Sequence, residues 1–278
     1  MSDVAVQVAN DIQVALDADQ LDLPSLPEVA LEIRDVAESE TVSAVTLAAV
    51  VDKDPGLAAQ LVRVANSPMF RATRSIDDLS QAISRLGVEY AANIITGLAM
   101  QQMFQATTEL IDKKMRQVWR QSTQVAAWSS ILCKKYTRLR PDQATLAGLT
   151  HTIGVLPILS WVEENDHIVR DGMTLDRIID AIHPSIGTMI LQRWNFAEEI
   201  VAVPESYQNL DRHAVAPDYI DIVSISSIIC QHDGDQNAIE DEWDSTDAFE
   251  RIGIPAQLDD DDFASIAEEV TEVQDVFG

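Results

Sequence analysis

The sequence predicts an all-α protein, a multi-helix bundle, and three observations carry that expectation. Apolar residues recur at three- and four-residue spacing through most of the 278 residues. Helix-starting and helix-stopping residues punctuate those stretches: Ser25 and Asp54 near prolines, Ser43 before an apolar run, and Gly87 behind one. No pair of alternating runs joined by a tight turn marks a hairpin, and no fixed-period repeat appears.

Val4, Val8, Ile12 and Leu16 form the first amphipathic stripe, which stops at Asp22-Leu23-Pro24-Ser25. Pro27 in a first turn opens a helix to about Glu38, and Ser43 opens a short one to about Asp52. At Asp54-Pro55-Gly56, Asp54 can cap and Pro55 can take the first turn. That helix carries Leu57, Leu61, Val64 and Ala65 on one face and ends at Asn66-Ser67-Pro68, where Pro68 disfavours helix at Ser67. Ile76 to Leu86 is helical and closed by Gly87, and an apolar helix runs from Val88 to about Phe104. Glu109 to Tyr136 reads as one long helix, and Pro141 to Trp161 as helix with a break near Gly154 or Pro157. Thr174 to Trp194 is helical with an interruption expected at His183-Pro184. A short segment, Phe196 to Val203, and an apolar one, Pro217 to Gln231, follow. Residues 233–258 read as acidic and irregular, and a final helix places Phe263, Ile266, Val270 and Val273 on one face behind the acids Asp259 to Asp262.

Composition bounds the function. A chain of this length can bury roughly 75% of its unfolded surface and needs no staples. The net charge of -27 repels phosphate backbones and anionic lipid, so neither nucleic acid nor a membrane surface is an expected partner. The charge is uneven: residues 233–278 hold 16 acids and one base, Arg251. Cys133 and Cys230 form no framework and no CxxC pair, which fits a reducing compartment. The N-terminus lacks a basic region followed by an apolar stretch, and no run of about 18 apolar residues is evident. A cytoplasmic location is therefore expected.

Five segments resemble the HDOD family, a branch of the HD superfamily found in bacterial signalling proteins: LPSLPEVALEI (23–33), VDKDPGLAAQLVRVANSPMF (51–70), IDDLSQAISRLGVEYAANII (76–95), GLTHTIGVLPI (148–158) and HPSIGTMILQRWNFAEEIV (183–201). The resemblance implies an HD-domain-like bundle with an N-terminal helical subdomain. The expected organisation is an amphipathic helix at 1–20, an HDOD-like domain at 21–215 (21–108 and 109–215), and a C-terminal helix with acidic tail at 216–278.

HD phosphohydrolases hold divalent metal with His and Asp, and the metal activates water and neutralises phosphate charge. The resemblance places this chain's counterparts at residues that are poor ligands. The central His-Asp pair becomes His151-Thr152, and a Thr hydroxyl brings no anion. The upstream His aligns with Gln121, a downstream His-His pair with Tyr207-Gln208, and the last Asp falls near Ser226 or Ser227. His183 completes the vestigial positions; two imidazoles fall short of the three ligands a catalytic site generally needs. His151 and His183 then read first as packed structural histidines, while His167, His213 and His232 have loop-like surroundings. No catalytic residue, metal site or cofactor is expected. Asp259 to Asp262 lack the spacing and central Gly of a calcium loop. No phosphate-binding glycine loop and no nucleophile elbow appear. Lys134 and Lys135 beside Cys133 could lower its pKa, although a buried thiol is the default.

One charge feature stands apart. Lys113, Lys114, Arg116, Arg120, Lys134, Lys135, Arg138 and Arg140 make up 8 of the 19 bases within 28 residues. The plain reading is an exposed helix. The sharper one is a strip that meets acidic surface, either the protein's own tail or a partner. Together these observations point to a non-catalytic signal-transduction module that binds another signalling protein. The alternatives are a metal-dependent phosphohydrolase acting on a nucleotide or phosphoester, and a small-molecule sensor using the cleft around His151, Gln121 and His183.

Overall fold

The computed structural model describes residues 3–18, 20–67, 70, 74–165, 171–232, 239, 246–254 and 260–277. Among them the regular structure is entirely helical. The helices are α1 (Asp3–Asp17), α2 (Glu28–Ala37), α3 (Ala44–Val51), α4 (Pro55–Asn66), α5 (Leu79–Leu86), α6 (Val88–Ala99), α7 (Glu109–Tyr136), α8 (Pro141–Thr150), α9 (Val155–Glu164), α10 (Gly172–Arg193), α11 (Glu198–Val201), α12 (Val203–Ser206), α13 (Tyr219–Gln231), α14 (Asp247–Ile252) and α15 (Asp260–Phe277). A 3₁₀ turn, Met100–Met103, extends α6.

Local chemistry sets most boundaries. Ser43 closes a capping box with Thr46 on α3. Asp54 accepts from the Gly56 and Leu57 amides, with Pro55 in the first turn of α4. Asp78 caps α5 by accepting from Gln81, which moves its start past the expected Ile76. Gly87, at φ 88°, ends α5 and opens α6, a conformation that favours glycine. Asp171 caps α10, and Asp218 forms a capping box with Asp221 on α13.

The interruption expected at His183-Pro184 does not occur: α10 runs unbroken through Pro184. A proline inside a helix costs about 3 kcal/mol. Here Ile178, Ile179, Ile182, Ile186, Ile190 and Leu191 along α10 are buried, and their packing carries the helix through. The break between α8 and α9 falls where Gly154 was marked, in the turn 151–154. The tail is also less irregular than its composition implies, because α14 forms with Phe249 and Ile252 buried. His167, Pro68 and residues 233–238, 240–245 and 255–259 of the tail lie outside the described residues.

One hydrophobic core runs through the chain. α7 lies at its centre and packs on α8, α9, α13 and α15. α2 packs on α6, α4 on α5, and α1 docks on α10. The stretch Pro141–Glu164 is long and apolar enough to span a membrane by length and composition, contrary to the expectation of no such run. Within the fold 83% of that window is buried, and it is broken by the turn before α9, so it serves as core.

Candidate functional site

The turn between α8 and α9 is pressed onto α10. A Cβ on Gly154 would meet the His183 carbonyl oxygen at 2.1 Å and the Gly187 nitrogen at 2.5 Å. A Cβ on Gly187 would in turn meet Pro204 of α12 at 3.0 Å. On the other side, a Cβ on Gly148 would meet the Ala126 Cα of α7 at 2.5 Å. Three glycines thus let four elements converge, and His151, Thr152, His183, Tyr207 and Gln208 sit near that junction.

His151 is 1% exposed, and its Nδ1 bonds the Gly148 carbonyl at 2.6 Å. A carbonyl only accepts, so Nδ1 carries the hydrogen and Nε2 the lone pair. His183 is 2% exposed, and among the described residues its Nδ1 meets no hydrogen-bond partner. Tyr207 lies against both rings, edge-on to His151 with centroids 4.9 Å apart and tilted to His183 at 6.1 Å. Gln208 Nε2 donates to the Tyr207 phenol oxygen at 3.0 Å, and that oxygen is 3.4 Å from His183 Nε2. Ser224 Oγ donates to the Tyr207 carbonyl at 2.6 Å and ties this corner to α13.

The electrostatics follow from burial. Desolvation lowers the His151 pKa to about 4 and, with His151 nearby, the His183 pKa to about 3. Both rings are therefore neutral at ordinary pH. Burial raises the Tyr207 phenol well above its usual range, so it stays protonated. Asp180, one turn before His183 on α10, has its pKa raised by desolvation and by Asp176, offset by Lys114.

Gln121 does not join this group through any observed bond; it is exposed on α7. Its neighbour Ser122 is fully buried and its hydroxyl meets the Thr152 hydroxyl at 2.7 Å. Sequence reasoning missed Ser122, although helical phase marks it: Val118, Ser122, Val125 and Ser129 are all buried on one face of α7. Ser226 is bonded to Ser129 at 3.0 Å, joining α13 to α7. Burial raises the Cys133 pKa to about 11, so Lys134 and Lys135 do not activate that thiol. His213 is exposed and lies 3.2 Å from Asp247, while His232 follows α13.

The donors gathered here do not fit a divalent metal. They are two neutral imidazoles, a phenol, an amide and two hydroxyls already bonded to each other. Hard cations favour carboxylate oxygen, and at Thr152, where the resemblance puts the family's Asp, the side chain is a neutral hydroxyl bonded to Ser122. Among the described residues no group of three His, Cys, Asp or Glu side chains is placed to hold a metal.

The basic strip divides into pieces. Lys114 pairs with Asp176 at 2.6 Å, Arg116 with Asp112 at 2.7 Å, and Arg140 with Glu89 at 2.9 Å and Asp142 at 2.7 Å. Lys113, Arg120, Lys134, Lys135 and Arg138 are exposed. A separate ionic cluster escaped sequence reading. Asp221, 1% exposed, accepts from Arg212 at 2.6 Å and from Arg251 at 2.7 and 3.1 Å. Arg251, the lone base of the acidic tail, is the hook that fastens α14 to α13.

Comparisons with known proteins agree with this architecture. A crystal structure of a protein from Shewanella amazonensis SB2B, provisionally named a metal-dependent phosphohydrolase, matches with a TM-score of 0.89 and 27% identity, covering 100% of both chains. An HDOD domain protein of unknown function from Geobacter sulfurreducens matches with a TM-score of 0.65 and 18% identity, over 100% of this chain and 98% of that one. A provisionally named signal transduction protein from Marinobacter aquaeolei VT8 matches with a TM-score of 0.62 and 20% identity, over 99% of this chain and 66% of that one. An uncharacterized protein of Treponema pallidum (strain Nichols) is 26% identical over 222 residues, 74% of this chain, and this chain spans only 42% of its length. The HDOD domain model matches residues 23–210, more than half of the chain. This chain belongs to the HDOD domain family.

Proposed function

We propose that the protein is a non-catalytic module of bacterial signal transduction, cytoplasmic, which acts by presenting its helical surface to another signalling protein. One observation carries this reading: the bulky Tyr207 packs against both His151 and His183, with ring centroids at 4.9 and 6.1 Å. The neutral hydroxyl pair Ser122–Thr152 stands where a bridging carboxylate is required. The test is metal content after incubation with manganese, iron and zinc, together with hydrolysis of bis-p-nitrophenyl phosphate and a cyclic dinucleotide. We expect no stoichiometric metal and no metal-dependent turnover. One metal per chain together with turnover would overturn the proposal.

A second reading, a metal-dependent phosphohydrolase, draws on the provisional name of the Shewanella protein and its full-length match. The triple variant Thr152→Asp, Tyr207→His, Gln208→His separates the two. If the site is vestigial, only the variant gains metal. If it is functional, the unaltered chain already binds it.

A further inference from the structure

The terminal helix α15 lies across α7 and reaches α4. Its described anchors are apolar: Phe263, Ile266, Val270 and Val273 are all buried. Phe263 stacks on Trp128 of α7 with centroids 5.5 Å apart. The fit is incomplete, because a cavity of about 340 Å³ remains between the helix and the body, bounded by Gln124, Trp128, Ile229 and Cys230 opposite Ala267 and Thr271. The outer face is acidic, with Glu268 and Glu269 exposed.

The surface beneath has the complementary character. With 3.6 residues per turn, Lys113, Arg120, Gln124, Trp128 and Lys135 fall along one side of α7. Gln124 and Trp128 line the seat of α15, while Lys113, Arg120 and Lys135 are exposed on the same side of α7. The seat is thus a mixed surface of Gln124, Trp128, Ile229 and Cys230 with exposed bases further along the same side of α7, and the helix that fills it is amphipathic with acids on its outer face. The unfilled cavity leaves room for a bulkier side chain than Ala267 or Thr271.

We propose that this side of α7 is a docking site for an acidic amphipathic helix of a partner protein, and that α15 occupies it in cis until the partner displaces it. The proposal deepens the protein-binding reading above and rests on it. The probe is a dye-labelled peptide of residues 257–278, titrated against the full chain and against a full-length Phe263→Ala/Ile266→Ala variant with a weakened anchor. The peptide should bind the variant at least tenfold more tightly than the unaltered chain, and that affinity should fall with added salt. Adding Lys113→Glu and Lys135→Glu to the variant should weaken peptide binding at least fivefold with helicity unchanged by circular dichroism. Equal affinity for both chains, or no binding to a variant whose α15 has lost hydrogen-exchange protection, overturns it. If the double variant fails to fold, the two charge reversals are read in the otherwise unaltered chain. There they should loosen α15 in hydrogen exchange; unchanged protection counts against the site. Metal-dependent turnover by the unaltered chain would defeat the functional reading, whereas the peptide titration reports on the seat alone.

Discussion

Replacing Arg251 with alanine should release α14 from the body. Its guanidinium is 13% exposed and reaches Asp221 through Nε at 3.1 Å and Nη2 at 2.7 Å. Removing one partner of a buried pair costs about 3–5 kcal/mol when the remaining charge is left alone. Asp221 is not left alone, because Arg212 still donates at 2.6 Å. Phe249 and Ile252 also keep their burial. The expected loss is therefore smaller, about 2–3 kcal/mol, the worth of one or two hydrogen bonds to a charged group. The loss should be local. Hydrogen exchange of residues 246–254 should speed up by about 30- to 160-fold, matching that energy, while α7 and α8 keep their protection. If the loss spreads to the whole domain, the melting temperature should drop by roughly 5 °C. Arg251→Lys should recover only part of the protection, since an ammonium cannot reproduce the fork. Unchanged exchange in 246–254 for Arg251→Ala would refute the idea that this ion cluster fastens the tail. So would an Arg212→Ala variant that loosens 246–254 more than Arg251→Ala does.

Two further predictions concern the histidine junction. Unfolded imidazoles bind protons near pH 6.5, whereas burial holds His151 to about 4 and His183 to about 3. The stability this contributes is complete above about pH 6.5 and is lost as pH falls toward those values. At pH 5 the loss is about 2 kcal/mol per histidine, so the difference in urea stability between the unaltered chain and His151→Gln should shrink by that amount from pH 7.5 to 5. A pH-independent difference would contradict it. Gly154→Ala forces a Cβ to within 2.1 Å of the His183 carbonyl oxygen and should cost about 3 kcal/mol, whereas Gly172→Ala, with nothing within 4 Å, should stay within about 0.5 kcal/mol. Equal melting temperatures for the two alanine variants would show that the turn does not bear on α10.

The legible parts of the fold were those set by neighbouring residues. The caps at Ser43 and Asp54 bond amides two or three positions away, so the sequence displays both partners. The unreadable parts needed a third element. Pro184 looks like a break until the buried isoleucines around it in α10 are seen to hold the helix together. Arg251 stood out as the only base among sixteen acids, yet its partner Asp221 lies 30 residues earlier on another helix.

The site shows the same division with a sharper consequence. Motif order located His151, Thr152, His183, Tyr207 and Gln208, and the fold brings their vicinity together. The same matching chose Gln121 on α7, where helical phase selects Ser122 for the interior. A motif records which residue replaced a ligand; it does not record which side chain then fills the vacated space. Here a phenol, an amide and a pair of hydroxyls pack and hydrogen-bond at these positions. A change at one of these positions acts on all of them. Thr152→Asp alone would set a carboxylate against the Ser122 hydroxyl with no cation to balance it, and burial makes that unfavourable. If the proposed reading holds, building a metal site here takes coordinated changes at 152, 207 and 208, which is why the triple variant is the informative one.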